Sequence, residues 1–415
     1  MYWRRESNVK TVWILNHYAQ EPGGPGGTRH YSLARHLLDS NWRSVVIAAS
    51  TEHNTGRQRL LAHENTRLET FNGVLFLWVR TPEYKGNCIA RIKNMLAYSW
   101  KSWLPATTRQ LPRPDVVIGS SVHPFAAVAG LLLARRFRVP FVFEVRDLWP
   151  QTLIDMGKLS SAGIPARLMK SLEKWLNRNA ARIIVLLPCA QNYLVPLGVE
   201  KNRIVYIPNG VEVGEIPIPA NQRSAFTLMY FGAHGHANGL ETLLLSMKIL
   251  AQQGREGGLR LRMIGDGAQR RSLIVMANQL GLLNVSFEGA VSKSEIPNLA
   301  AQADAFIISV LDLPNLYRFG VSMNKLFDYL AANRPIILAG NIPQNPVAES
   351  NSGITVAPNN PEELANAIAT LASLPISERT RMGAAGFEFV KANHSFALLA
   401  KRLAAVLDDV SPAIK

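Results

Sequence analysis

Cysteine is scarce in this 415-residue chain: Cys88 and Cys189 are the only two. One pair cannot build a disulfide framework or a four-ligand structural zinc site, so a reducing, cytosolic setting is expected. Long apolar runs are missing as well. The longest uncharged one, FAAVAGLLLA (125–134), falls well short of the roughly 20 residues a spanning helix needs. The opening stretch MYWRRESNVKTVWIL lacks the apolar segment and small-residue cleavage site of a signal peptide. Glycine and proline are not in excess, and charged residues are 18% of the chain, which excludes collagen-like, disordered and coiled-coil classes. Acid is in deficit, with 30 Asp+Glu against 45 Lys+Arg. The deficit is one-sided: residues 1–200 carry 26 basic and 13 acidic residues, and residues 201–415 carry 19 and 17. All eight tryptophans also lie in the first half, from Trp3 to Trp175. Two domains with different partners follow from this asymmetry, and basic charge with aromatics suits nucleic acid or an anionic membrane surface.

What the chain does have is alternation. Short apolar runs (TVWILNHY, SVVIAAS, VLFLWV, DVVIGS, PFVFEV, RIIVLL) are separated by helical stretches in the first half. The pattern restarts with FTLMYFG, LRLRMIGDG, VSFEG, AFIISV, PIILAG and ITVAP, and closes on helices at 361–374 and 377–410. Apolar runs that do not alternate with polar residues fit parallel strands covered on both faces. The reading is α/β, with two Rossmann-like, doubly wound domains and a linker near 202–221, where Pro208, Pro217 and Pro219 interrupt regular structure.

Four clusters sit where such sheets bind ligands, at the ends of strands. EPGGPGGT (21–28) follows the first strand, with Gly26 and Gly27 able to approach an anion and Thr28 a candidate helix cap. EVRDLWP closes another strand and gathers Glu144, Arg146 and Asp147, a candidate catalytic group in which acid and base shift each other's pKa. FGAHGHANG supplies Gly232, His234, Gly235 and Asn238; its histidines have no third ligand at metal-site spacing, so no metal is expected. YRFGVSMNKLFD places Gly320, Ser322, Asn324 and Lys325 around a helix start, which forms a diphosphate cradle of free N–H groups, helix dipole and ammonium. Asp328 lies one turn further, where a carboxylate can hold the paired hydroxyls of a ribose.

With YIPNGVEV, IGDGAQRRSL and FEGAVSKSEIPNLAAQADAFI added, these blocks resemble the family-4 retaining glycosyltransferases over nearly the whole chain. The resemblance is greatest to bacterial O-antigen and capsule enzymes of the N-acetyl-L-fucosamine transferase type. It implies a GT-B fold, in which two Rossmann-like domains face a central cleft. The acceptor domain would be 1–205, the donor domain 206–385, and a terminal helix within 386–415 would return to the first domain. It implies a UDP-sugar donor, a polyprenyl-diphosphate-linked acceptor, metal independence and no cofactor beyond the donor. It also implies a peripheral place on the cytoplasmic face of the bacterial membrane. The donor group gains Arg270 and Arg318. The family's Glu-x7-Glu is here Gly320 and Asp328, and its strand-end His-Asp is Arg146-Asp147, which shifts phosphate contacts towards Lys325 and Arg318.

Residues 89–104, read as a helix, put Ile89, Ile92, Leu96, Trp100 and Trp103 on one stripe with Arg91, Lys93 and Lys101 around it. Periodicity fits either a core-facing stripe or an interfacial membrane helix, and the two tryptophans favour the membrane. Two other classes stay open. A UDP-N-acetyl sugar 2-epimerase shares the two-domain architecture, and a basic nucleic-acid-binding protein shares the charge; the reading favoured here has no nucleic-acid partner.

Overall fold

The computed structural model describes residues 9–24, 27–52, 56–84, 86, 89–215, 225–292 and 295–411. Gly26, Cys88, Pro217 and Pro219 lie outside them. The chain divides into two compact units, residues 1–209 with 396–415, and residues 210–395.

Unit 1 is built on strands β1 (Lys10–Leu15), β2 (Trp42–Ala49), β3 (Thr66–Phe71), β4 (Val74–Val79), β5 (Val116–Ser120), β6 (Phe141–Val145), β7 (Arg182–Val185) and β8 (Ile204–Tyr206), in the order β3-β4-β2-β1-β5-β6-β7-β8. Only β3 runs antiparallel. It joins β4 through Asn72-Gly73, both at positive φ, the backbone a two-residue hairpin turn requires. The central strands are buried end to end because helices cover both faces. Helices α1 (Arg29–Leu37), α2 (Ile89–Trp103), α3 (Pro124–Phe137) and α4 (Ile164–Asn179) belong to this unit, and α3 packs against both α2 and α4.

Unit 2 carries β9 (Phe226–Phe231), β10 (Leu259–Ile264), β11 (Val285–Glu288), β12 (Ala305–Ser309), β13 (Ile336–Ala339) and β14 (Gly353–Val356). Every pairing is parallel, in the order β11-β10-β9-β12-β13-β14. Numbered within the unit this is 3-2-1-4-5-6, the dinucleotide-fold order. Alternate side chains of β9 feed opposite layers. Leu228 and Tyr230 enter the cluster formed with α5 (Leu240–Gln252), and Met229 and Phe231 enter the one formed with α7 (Asn324–Ala331). Between α5 and α7 runs α6 (Arg270–Gln279), and the unit ends on α8 (Pro361–Ser373) and α9 (Ile376–His394).

The terminal helix expected over 377–410 breaks at Ser395 into α9, which stays in unit 2, and α10 (Phe396–Val410), which lies in unit 1. There Phe396, Leu399, Leu403 and Leu407 pack with Leu33 and Leu37 of α1 over β1 and β5. The boundaries therefore fall at 209/210 and 395/396, where the sequence reading put 205/206 and 385/386.

Candidate functional site

In unit 2 the strand order reverses between β9 and β12, and a doubly wound sheet binds its ligands at such a switch point. The two strands stay paired only at Ala305↔Leu228 and Phe306↔Met229 and then part. Tyr329 fills the split: its hydroxyl accepts from the Phe231 N–H at 2.6 Å and donates to the Phe231 carbonyl at 2.8 Å. The loop after β9 is laid against the loop after β10. Gly232 N–H donates to the Ile264 carbonyl at 3.0 Å and His234 N–H to the Asp266 carbonyl at 2.8 Å. Gly265 and Gly267 make this approach possible, since a Cβ on Gly265 would sit 1.9 Å from the Gly232 oxygen.

Lys325, in the first turn of α7, points into this split. Its ammonium donates to Asn238 Oδ1 at 2.5 Å and Tyr230 Oη at 3.2 Å. Asn238 is held in turn by donating to the Ala233 carbonyl at 2.8 Å. Among the described residues no carboxylate offsets the burial of this lysine, which lowers its pKa to about 8. A desolvated ammonium whose partners are neutral, beside free helix N–H groups, is a place for an anion. Asp328 follows at i+3, on the same helix face.

The structure sorts the remaining donor candidates. Gly232, Gly235, Asn238 and Lys325 come together at the switch point. Gly320, at φ +85°, turns the chain before α7, and Asn324 opens the helix. Ser322 is not the cap; Met323 holds that position without a side-chain bond. Arg318 is exposed and lies 4.7 Å over the ring of Phe319. His234, expected to face the donor, has its side chain buried beneath the loop, and neither ring nitrogen has a hydrogen-bond partner among the described residues. Burial lowers its pKa, and the neighbouring Arg270 acts in the same direction.

Unit 1 has its own switch point, between β1 and β5. Glu144, expected in a catalytic role, is buried, and both carboxylate oxygens are taken. Arg29 Nε donates to Oε1 at 3.0 Å and His30 Nε2 to Oε2 at 2.7 Å. Burial would raise the Glu144 pKa, but His30 and Arg29 more than offset it, and the carboxylate is ionised. Burial lowers the His30 pKa, which leaves that ring neutral and donating. Arg29 also donates to the carbonyls of Ile207 and Pro208. Glu144 thus positions the start of α1 and is closed to substrate. Arg146 is half-buried, with its N–H on Ser121 Oγ at 3.2 Å, and Asp147 opens to solvent. Gly27 is exposed in the loop before α1, while Thr28 makes no side-chain cap.

A histidine pair that the motif reading passed over lies at the same strand ends. His123 caps α3, its Nδ1 accepting from the Ala126 N–H at 3.3 Å. Its Nε2–H therefore donates to His17 Nδ1 at 2.6 Å. Burial, reinforced by Arg91, lowers the His123 pKa to about 3 and keeps it neutral. His17 is stacked between Tyr18 and Tyr98 at centroid distances of 4.3 and 4.6 Å. His17 and His123 lie just past the ends of β1 (Leu15) and β5 (Ser120), and that position was the available signal. Histidine is absent from the usual list of caps, which hid the second one.

Helix α2 presents the reverse of a core helix. Its inward line is polar: Asn94 Nδ2 donates to Thr51 Oγ1 at 2.9 Å, Tyr98 Oη donates to the Ile47 carbonyl at 2.6 Å, and Ser102 is buried. Ile92, Leu96 and Trp100 face outward, with Trp103 half-buried beside Trp100. The core-facing alternative for this stripe is excluded. Lys93 is exposed and Lys101 half-exposed. Arg91, expected among the outward cations, instead turns inward and donates to Tyr18 Oη at 3.1 Å. No helix among the described residues is long and apolar enough to cross a membrane.

Two Rossmann-like units in tandem, the second with an ammonium on neutral partners at its switch point, define a protein of GT-B architecture. Residues 24–210 match the family described as a glycosyl transferase 4-like domain, and residues 225–373 match glycosyl transferases group 1. The chain belongs to the glycosyltransferases composed of these two domains. It is 22% identical over 262 residues to WcaI of Escherichia coli (strain K12), a protein named as a colanic acid biosynthesis glycosyl transferase. That match covers 58% of this chain and 62% of the relative. Among solved structures, sucrose-phosphate synthase from Thermosynechococcus elongatus superposes with a TM-score of 0.73 at 17% identity, covering 96% of this chain and 98% of that one. Alr3699/HepE of Anabaena, solved with UDP and glucose, gives 0.65 at 16% identity over 96% and 99%.

Proposed function

We propose that the protein is a retaining glycosyltransferase of bacterial surface polysaccharide synthesis, of the O-antigen or capsule kind. It moves an N-acetylated sugar, N-acetyl-L-fucosamine being the candidate, from a UDP-sugar to a lipid-linked oligosaccharide. It does so on the cytoplasmic face of the membrane. The observation that carries this reading is the half-buried Lys325 at the switch point of unit 2, in the first turn of α7, with its ammonium held by Asn238 and Tyr230. The UDP bound in HepE and the polysaccharide named for WcaI support the donor and the pathway class. Retention, the sugar and the acceptor rest on the family resemblance.

Breaking a glycosyl–phosphate bond builds positive charge on the sugar and negative charge on the leaving diphosphate. Groups fixed in advance around that diphosphate lower the barrier, because they need not reorganise as the charge develops. Lys325 supplies the desolvated cation, the α7 N-terminus supplies oriented N–H groups, and Arg270 and Arg318 supply further positive charge at the rim. With these in place the reaction proceeds without a metal ion. Asp328 holds the ribose hydroxyls, and Arg146 with Asp147 serves the transfer from unit 1.

A thermal-shift panel of nucleotide sugars, followed by detection of UDP release with a lipid-linked acceptor, tests the reading, since a true donor stabilises the fold by mass action. Asp328→Ala should weaken uridine, UMP and UDP by a similar factor, about tenfold for a hydrogen-bonded carboxylate. Unchanged uridine affinity would remove the ribose assignment.

A further inference from the structure

Three helices of unit 1 lie side by side, with α3 between α2 and α4. Their ends are tied by cation–ring contacts: Arg136 lies 5.1 Å over Trp103 of α2, and Arg135 lies 5.3 Å over Trp175 of α4. Arg135 also donates to Asn179 Oδ1 at 2.7 Å. These contacts make the outer surfaces of the three helices one face.

Two features set that face apart. It exposes large apolar side chains on both flanking helices. On α2, Ile89 is 72% exposed and Trp100 62%, with Ile92 and Leu96 between them. On α4, Ile164 is 72% exposed and Leu168 66%. Isolated exposed apolar residues are ordinary, but a group on adjacent helices marks an interaction surface. The second feature is charge. The three helices carry nine Lys and Arg, of which Arg91 turns inward and Arg136 lies half-buried over Trp103, and a single acid, Glu173. Glu173 is buried and accepts from Tyr193 Oη at 2.9 Å, and burial raises its pKa to about 8, so it contributes little negative charge to the surface. The opposite face is balanced: α10 has Lys401 and Arg402 against Asp408 and Asp409, and the two acids engage Lys10 and Arg182.

We infer that the outer face of α2, α3 and α4 docks on an anionic bilayer, with Ile89, Ile92, Trp100, Ile164 and Leu168 entering the acyl boundary and the surrounding cations meeting lipid phosphates. A rim of one sign around exposed aliphatic and indole side chains is complementary to a negatively charged lipid surface. This extends the membrane part of the proposed function from one helix to a three-helix face, and it is tested without donor or acceptor.

The test is flotation of the whole protein with vesicles of phosphatidylcholine alone and with vesicles of phosphatidylcholine and phosphatidylglycerol in equal parts. Binding is expected to the mixed vesicles only and to be released by high salt. Ile92→Ser with Trp100→Ser, Ile164→Ser with Leu168→Ser, and Lys170→Glu with Lys174→Glu should each lower partitioning roughly tenfold or more. Hydrogen exchange on the unmodified protein reads the same face if a variant folds poorly, with protection by vesicles expected in α2 and α4. Absence of flotation at low salt, equal flotation with neutral vesicles, insensitivity to the α4 variants, or protection elsewhere would overturn the inference. So would a dimer that the serine variants convert to monomer, since a second copy would then cover the face. Because UDP binding is measured apart from lipid, failure here leaves the donor reading standing.

Discussion

Lys325 makes nucleotide binding a proton-linked event. In the free protein burial holds its pKa near 8. A diphosphate beside the ammonium raises that pKa, because an adjacent anion favours the charged form. Binding therefore takes up a proton once the pH exceeds 8, and affinity is full below that point and falls above it. With the ligand phosphate already ionised near pH 7, the apparent Kd for UDP should rise by about tenfold between pH 7 and pH 9, close to one decade per pH unit above 8. Lys325→Met should remove this slope. It should also weaken UDP at pH 7 by roughly 10- to 100-fold, the range of a charge-assisted hydrogen bond. The same substitution should stabilise the unliganded protein by about 1–3 kcal/mol at pH 7, since it ends the burial of an ammonium without a counter-ion. Stability carries the opposite pH dependence from binding. The pKa is lower folded than unfolded, so the unfolded chain binds more protons between pH 8 and about 10.5, and this contribution to stability rises with pH there. Titration calorimetry in buffers of different ionisation enthalpy reads the proton uptake directly, and uridine, which lacks phosphate, serves as the pH-flat control. A wild-type UDP affinity that is flat from pH 7 to 9, or a slope that persists in Lys325→Met, would refute the argument.

Other expectations follow from the same geometry. Glu144→Gln leaves Arg29 buried without its counter-charge and should cost about 3–5 kcal/mol of unit 1 stability, measured by denaturant unfolding; an unchanged midpoint with abolished turnover would restore Glu144 to the reacting centre. Gly265→Ala should abolish UDP binding and lower the melting temperature, because its Cβ meets the Gly232 oxygen and its φ of +144° disfavours a side chain. Gly257→Ala, which meets open space, is the matched control and should behave as wild type in the same melting scan.

Most of the sheet architecture was legible because strands buried on both faces are written as unbroken apolar runs. VLFLWV became β4 residue for residue. Its neighbour Thr66–Phe71 was missed, since TRLETF is a half-exposed edge strand with few apolar residues, although the Asn-Gly after it is a hairpin signal. The break at Ser395 was hidden for a different reason: no glycine or proline marks it, and it falls where the chain leaves unit 2. At the site, glycine loops and a helix start pointed to Lys325 and Asn238 because anion binding uses those features locally. Glu144 was misjudged because its partners, Arg29 and His30, stand more than a hundred residues earlier, and nothing in EVRDLWP announces them. For α2, periodicity located the apolar stripe but not its direction. That was decided by Asn94 and Tyr98, whose polar groups found buried acceptors on the other side.

The terminal helix α10 has a consequence for the order in which the molecule is made. Unit 2 is one uninterrupted segment, 210–395, and its last strand and helices emerge together. Unit 1 begins the chain, yet one layer of its core, with Phe396, Leu399, Leu403 and Leu407 over β1 and β5, is delivered by residues synthesised at the end. During translation the first half must wait with that apolar face uncovered while the second half is free to finish, because domains fold as units once all their parts are available. The half that starts first is the half that completes last. A chain cut short at residue 395 would hold every residue of unit 2 and leave unit 1 without that layer.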